Sequence, residues 1–405
     1  MNKRMGPKMK TLLYAIIITF IGFSIIISPN DSVSAALNGV KMWGEVVFPS
    51  LFPFFVISEI MIGIGIVNFV GILLEPFMRP LFRVPGAGGF VLAMGMASGF
   101  PAGAKFTARL RQEKQITAIE AERLSAFTNS SNPLFLSGAI AVGFFHNVAL
   151  SLLIMTCHYL SNLFVGITMR FYGKREENSK TKRPHHTASL KLAFEQMHQK
   201  RLNDNRTLGR LLGDSVNSAI QTLLMVGGFI ILFSVLNNVL SIINITDAIG
   251  TMIGVFFSIF TIPAELSPAF FAGLLEITNG AQQISETADV SLFYQVLLVS
   301  FILGFNGFSI QAQAATFLAQ ADIRFWPFFI GRVLHGTYAM VFTAILWKPL
   351  YAAHHDSNPP VISWINQQES INMFINLWEI FVKYGSFITL FSIFFFIIYQ
   401  LKIIK

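Results

Sequence analysis

The chain has 405 residues, of which 53% are hydrophobic and only 12% charged, and its mean hydropathy is +0.60. A soluble domain carries about twice that charge fraction, so a water-soluble globular protein is excluded, and the length allows about ten membrane segments of roughly 20 residues each. One cysteine, Cys157, excludes an internal disulfide framework and a thiolate metal cluster, and the net charge of +8 gathers in particular loops, as in a membrane protein rather than a nucleic-acid binder.

The first ten residues are basic (Lys3, Arg4, Lys8, Lys10), and an apolar run over 12–27 follows, ending at Ser28-Pro29. Val33-Ser34-Ala35-Ala36 resembles a signal-peptidase site, so a cleaved signal peptide and an uncleaved first helix are both open; the uncleaved helix is expected, with a cytoplasmic N-terminus. Residues 46–74 read as a second membrane segment with Pro49 and Pro53 near its start and Glu59 inside it. Arg79 and Arg83 then mark the cytoplasmic side. Residues 86–104 are apolar, yet Lys105, Arg109, Arg111, Lys114 and Arg123 come next. Basic flanks on both sides predict a re-entrant hairpin broken within Ser98-Gly99-Phe100-Pro101-Ala102-Gly103, with a true span as the alternative.

Residues 124–145 form the next apolar segment, interrupted by Asn129-Ser130-Ser131-Asn132-Pro133, and 148–170 the one after it. The loop over 173–213 has ten Lys/Arg against four Asp/Glu and is the strongest cytoplasmic marker. Leu190, Phe194 and Met197 fall there at helical spacing, consistent either with a helix lying on the membrane surface or with a disordered basic linker. A second half begins at Asp214. Asn306-Gly307-Phe308-Ser309-Ile310-Gln311-Ala312 echoes Ser98-Gly99-Phe100-Pro101-Ala102-Gly103-Ala104 at an offset of 208, while the segment starts at Glu45 and Asp214 differ by 169. The two halves therefore read as inverted repeats, with about 39 extra residues over 246–283. Residues 325–347 form a further span, 354–360 a polar loop, Trp364, Ile371, Phe374 and Trp378 an interfacial helix, and 379–401 the last span.

Polar groups inside apolar segments are the candidates for function, because each costs free energy unless it faces protein or water. Glu276-Ile277-Thr278-Asn279-Gly280 places an acid, a hydroxyl, an amide and a helix-ending glycine in five residues. Asn129, Ser130, Ser131 and Asn132 precede a proline that bars the preceding turn from an ordinary helix. About a dozen residues separate that run from the turn at His146, too few to cross a bilayer, so the run is expected within the membrane. Ser98, Gly99 and Phe100 at the first break, and Asn306, Gly307, Ser309 and Gln311 at the echo, complete the expected substrate-binding set. The competing account for all of these is close packing and hydrogen bonding between helices. Glu59 and Glu265 read as paired or interfacial carboxylates, and Lys105 and Arg109 as topological anchors. No phosphate-binding loop, Gly-x-Ser-x-Gly elbow or His-Glu-x-x-His motif occurs, so an enzyme is not expected. The adjacent pairs His185-His186 and His354-His355 do not share a helix face, and no metal or cofactor is expected.

The runs from Ser98 to Ala104, from Thr128 to Pro133 and from Glu276 to Gly280 together resemble the YlbJ/SpoVV sporulation integral membrane proteins. These belong with the nucleoside-recognition ("Gate") proteins and are similar to concentrative nucleoside transporters. The resemblance implies an all-α polytopic membrane protein with re-entrant helical hairpins and inverted repeats. Its expected parts are an N-terminal transmembrane helix (1–30), a first Gate-like repeat (45–172), the basic cytoplasmic loop (173–213), a second repeat (214–348) and a C-terminal part (349–405). It further implies transport of dipicolinic acid from the mother cell across the outer forespore membrane. The partners are then this small anion and the lipid bilayer, with a possible homo-oligomer and no nucleic acid. A nucleoside carrier and a non-transporting scaffold are the alternatives, and the chain departs from nucleoside carriers in lacking a strong paired acidic site for ribose. Dipicolinate is a flat dianion with a ring nitrogen. Helix N-termini at two broken elements are expected to receive its carboxylates, amides of Asn129, Asn132, Asn279 and Asn306 to donate to it, and Phe100 or Phe308 to stack on the ring.

Overall fold

A computed structural model of the chain describes residues 7–174 and 189–352. The polar loop, interfacial helix and last span expected beyond residue 353 lie outside the described residues, as do both histidine pairs, Lys3 and Arg4. The chain divides into a unit ending at Trp347 and a second starting at Lys348. Of the second, the described part is the π-helical stretch Lys348–Ala352.

The first unit is helical, with no strand among its described residues. Helices α1 (Pro7–Ile27) and α2 (Pro29–Met42) meet at Ser28-Pro29 and bend by 105°. A short π-helix, Trp43–Val47, leads into α3 (Phe48–Ile64) and α4 (Ile66–Phe82). The segment expected to cross as one piece over 46–74 is therefore broken. Gly65 sits at φ 91, which L side chains rarely adopt, and the two helices diverge by 83°. Next come α5 (Ala87–Ser98) and α6 (Ala102–Gln112), then α7 (Ala118–Thr128), which opens on a capping box between Thr117 and Glu120. The run from Asn129 to Asn132 is not helical, and the chain turns helical again at Pro133. A π-helix, Phe135–Phe144, and the long α8 (Leu150–Met169) follow.

Inside the basic loop lies α9 (Leu190–Asn203), and α10 (Leu208–Ile242) is the longest helix among the described residues, at 35 residues. Then come α11 (Ile245–Ile259), α12 (Ser267–Leu275) after the short turn Ala264–Leu266, and α13 (Ile277–Glu286). The unit ends with α14 (Leu292–Phe305), α15 (Gly307–Ala319) and α16 (Phe325–Trp347). Among the described residues four helices are long and apolar enough to cross a membrane, or up to six if each bent pair counts as one span. Outward-facing Ile16, Phe23 and Ile26 on α1, and Met252, Val255 and Ile259 on α11, form apolar surfaces that suit lipid rather than water. The chain is an all-α polytopic membrane protein.

The order of elements recurs at a spacing of 177, the separation of the hydrogen-bonded pairs Asn129/Asn306 and His158/His335. Shifted by that amount, α5 falls on the turn at Ala264 plus α12, α6 on α13, α7 on α14, and α8 on α16. The offset of 208 read from the sequence is thus replaced. The first break, at Gly99, corresponds to Glu276 rather than to Asn306, and the run at Asn129 corresponds to Asn306. No extra residues over 246–283 are needed, because α11 itself falls on α4.

Candidate functional site

Four breaks in the helices bear on the site, at Gly99 to Pro101, Asn129 to Asn132, Glu276 and Asn306. At the first, Gly99 has φ 85 and Pro101 lacks an N–H, so α5 stops and α6 restarts. The two helices fold back because Gly95 and Gly103 both lie against the Thr128 carbonyl, where any Cβ would overlap it. At the second hairpin, Gly280 packs against the Gly273 backbone in the same way. Gly103 and Gly280 are 177 apart, like the asparagine and histidine pairs. Glu276 caps α13: its carboxylate accepts the Asn279 N–H at 2.9 Å. Asn306 takes the left-handed conformation (φ 75) between α14 and α15, and its side-chain amide donates to the carbonyl of Asn129, at the remaining break, at 3.3 Å.

These stretches converge on one cavity of about 590 Å³. Of the expected site residues, Gly99, Phe100, Ser131, Asn132, Glu276, Thr278 and Ser309 line it. The first turns of α13 (Ile277, Thr278) and α15 (Ser309, Ile310) face it, so two helix N-termini border the space. Asn279 lines a second, more polar cavity of about 630 Å³, which shares Met42, Glu45, Ile230, Glu276 and Thr278 with the first. The remaining expected residues, Ser98, Asn129, Ser130, Asn306, Gly307 and Gln311, are buried and line neither cavity. Gln311 donates to the Phe305 carbonyl at 2.9 Å, filling a bond that the break before α15 leaves open. Asn132 is doubly held: its Nδ2 donates to the Ser98 carbonyl at 3.2 Å, and its Oδ1 accepts the Phe135 N–H at 2.7 Å. The first hairpin tip is thereby tied to the run at Asn129. Phe308 is partly exposed and packs edge-on to Phe305.

Two carboxylates, Glu45 and Glu276, line the central cavity, and no lysine or arginine does so among the described residues. Lys105 is buried rather than an anchor at the membrane surface, and pairs with Glu59 at 2.9 Å. Arg109 pairs with Glu113. Glu265 is exposed.

Sequence reading missed a polar group behind the cavity wall: His158 on α8, with Arg332 and His335 on α16, all buried. His158 accepts the Ser131 N–H at 3.0 Å, and Arg332 donates to the Asn129 carbonyl at 2.6 Å. The available signal was an ionisable residue in the middle of each of two long apolar runs.

A family model for nucleoside recognition matches residues 45–175. The sporulation integral membrane protein YlbJ of Bacillus subtilis (strain 168) is 54% identical over 392 residues, covering 96% of each chain. No solved structure matches.

Proposed function

The chain belongs to the family of the sporulation integral membrane protein YlbJ, and from that premise we propose that it is a membrane transporter for a small organic anion. The solute we assign is dipicolinic acid, moved from the mother cell toward the forespore across the outer forespore membrane. One observation carries this reading: both hairpin tips and both later breaks meet at a single cavity of about 590 Å³, within the size range of small-molecule sites. Broken helices around a shared cavity are the arrangement that transporters use for solute binding, and a scaffold gains nothing from the buried polar groups it requires. In this reading the two halves related by 177 residues are inverted repeats, and α5–α6 and α12–α13 are re-entrant hairpins. The length of α5, 12 residues or roughly 18 Å, supports that, being short of the roughly 30 Å hydrocarbon core. In the same reading the N-terminus lies in the cytoplasm and the basic loop on the same side.

With no cation in the cavity lining among the described residues, and the N-terminus of α13 already capped by the Glu276 carboxylate, the attraction for an anion falls to the N-terminus of α15 and to Arg332 behind the wall. A second reading is favoured by Glu45 and Glu276, which share the cavity and can accept sugar hydroxyls: a nucleoside carrier. Uptake of labelled dipicolinate into proteoliposomes, with adenosine as competitor, decides between them. Saturable uptake that adenosine leaves unchanged supports the anion reading. Inhibition by adenosine turns the assignment to nucleosides, and absence of uptake under every ion gradient removes both.

A further inference from the structure

The wall formed by Ser131 and Asn132 is held from behind. Helix α7 ends at Thr128, which leaves its last carbonyls without helical partners, and Pro133 has no N–H to offer the Asn129 carbonyl, so donors must come from elsewhere. Arg332 supplies them. Its Nη2 donates to the Ala126 carbonyl and, at 3.5 Å, to Asn162 Oδ1. Its Nη1 donates to the Asn129 carbonyl at 2.6 Å and meets His335 Nδ1 at 3.0 Å. A guanidinium only donates, so His335 Nδ1 is the acceptor and the His335 proton sits on Nε2. That nitrogen is 2.8 Å from the His158 carbonyl, to which it donates. His158 Nε2 in turn accepts the Ser131 N–H at 3.0 Å, and the Tyr159 hydroxyl donates to the Ser131 carbonyl at 3.0 Å. Ser131 and Asn132 line the cavity.

The second half shows that a break does not require this device. There Gln311 caps the Phe305 carbonyl, and the position corresponding to Arg332 in the first half is Met155. Arg332 is fully buried, and among the described residues no carboxylate pairs with it. Burying a guanidinium without a counter-charge is costly, and a neutral glutamine does the same capping work at the other break.

We propose that Arg332, acting through His335 and His158, is the positioning residue of the solute-binding wall. It fixes the end of α7 so that Ser131 and Asn132 face the cavity, and its uncompensated charge marks that wall as the one that takes a solute carboxylate. This rests on the transporter reading, but the hydrogen-bond relay can be tested without it.

The test combines two readouts on the full chain in nanodiscs. Hydrogen exchange of the Ser131 amide is measured for wild type, His158→Gln, His158→Leu and His158→Asn. Glutamine can still accept the Ser131 N–H, leucine cannot, and asparagine keeps polarity but falls short. Slow exchange in wild type and the Gln variant, with at least tenfold faster exchange in the Leu and Asn variants, is expected. Equal exchange in all four, or a Gln variant that behaves like Leu, overturns the relay. Dipicolinate uptake is then compared for wild type and Arg332→Lys, which keeps the charge but loses the fork. A KM raised about tenfold with Vmax within about twofold is expected, whereas an unchanged KM overturns the positioning role. Absence of uptake by wild type counts against the transporter reading alone, since the exchange result stands by itself.

Discussion

The side-chain amide of Asn306 donates to the backbone carbonyl of Asn129, 3.3 Å away, and joins the two broken halves at corresponding points. Asn306 also holds a left-handed conformation that most residues adopt only at a cost. Two substitutions separate these roles. Asn306→Gly keeps the conformation and loses the bond, with an expected cost of about 1–2 kcal/mol. Asn306→Ala loses both and is expected to cost about 1 kcal/mol more. Apparent thermal midpoints in detergent should rank wild type above Gly and Gly above Ala; an Ala variant as stable as Gly would refute the conformational part.

Gly103 and Gly280 are each pressed against backbone, at the Thr128 carbonyl and at Gly273 respectively. Backbone cannot yield as a flexible side chain can. Gly103→Ala and Gly280→Ala are therefore expected to prevent hairpin closure and to abolish recovery of monodisperse protein. Gly22→Ala and Gly44→Ala, with nothing within 4 Å of the added Cβ, serve as neutral controls. The readout is the size-exclusion profile after purification.

How far the sequence announced this arrangement depends on which force is in play. The breaks at Ser98 to Gly103, at Asn129 to Pro133 and at Glu276 were legible, because Gly, Pro and Asn act locally on the chain. The break at Gly65 was not, since a lone glycine in an apolar run is also a common helix contact. The repeat register was misread for a related reason. The echo of a Gly-Phe pair near Ser98 and Asn306 outweighed the scattered matches Gly103/Gly280, Asn129/Asn306 and His158/His335, which make sense only once the chain is folded. Arg332 was missed because what it binds on other segments, the Ala126 and Asn129 carbonyls and Asn162 Oδ1, leaves no trace in local side-chain spacing.

Lys105 and Glu59 form a nearly buried ion pair at 2.9 Å, and the Ser218 hydroxyl also donates to Glu59. Removing one partner of such a pair strands the other, at about 3–5 kcal/mol. Lys105→Met is expected to lower the apparent thermal midpoint sharply. Adding Glu59→Gln to Lys105→Met should recover most of the loss, because the stranded charge is then gone. A double variant no more stable than Lys105→Met would show that the pair is not the source of the effect.

The helix inside the basic loop buries Ala193 and packs close to Gly65 through Met197 and Lys200, and charge fastens it further. Leu190 and Phe194 are exposed, while Lys200 on α9 pairs with Glu113, just past the end of α6, at 2.9 Å. Past the end of α9, Arg206 binds both Asp204, at 2.7 Å, and Asp214 on α10, at 3.1 Å. The Arg206 guanidinium, donating directly to Asp204, lowers that carboxyl to about 2. Burial pushes Glu113 upward, but Lys200 and Arg109 outweigh it, and its net shift is also downward. A carboxyl depressed in the folded state contributes stability that is present above its unfolded value, near 4, and is lost as the pH falls through its folded value. The attachment of α9 is therefore expected to hold at neutral pH and to loosen between about pH 4 and pH 2. High salt should weaken the more exposed Arg206 contacts first. Hydrogen exchange of peptides covering Leu190–Asn203, quenched after labelling across that pH range and corrected for the intrinsic pH dependence of exchange, reads the transition. Protection that stays constant from neutral pH down to 2, or that is lost already between pH 7 and 5, would mean that contacts other than these carboxylates hold the helix.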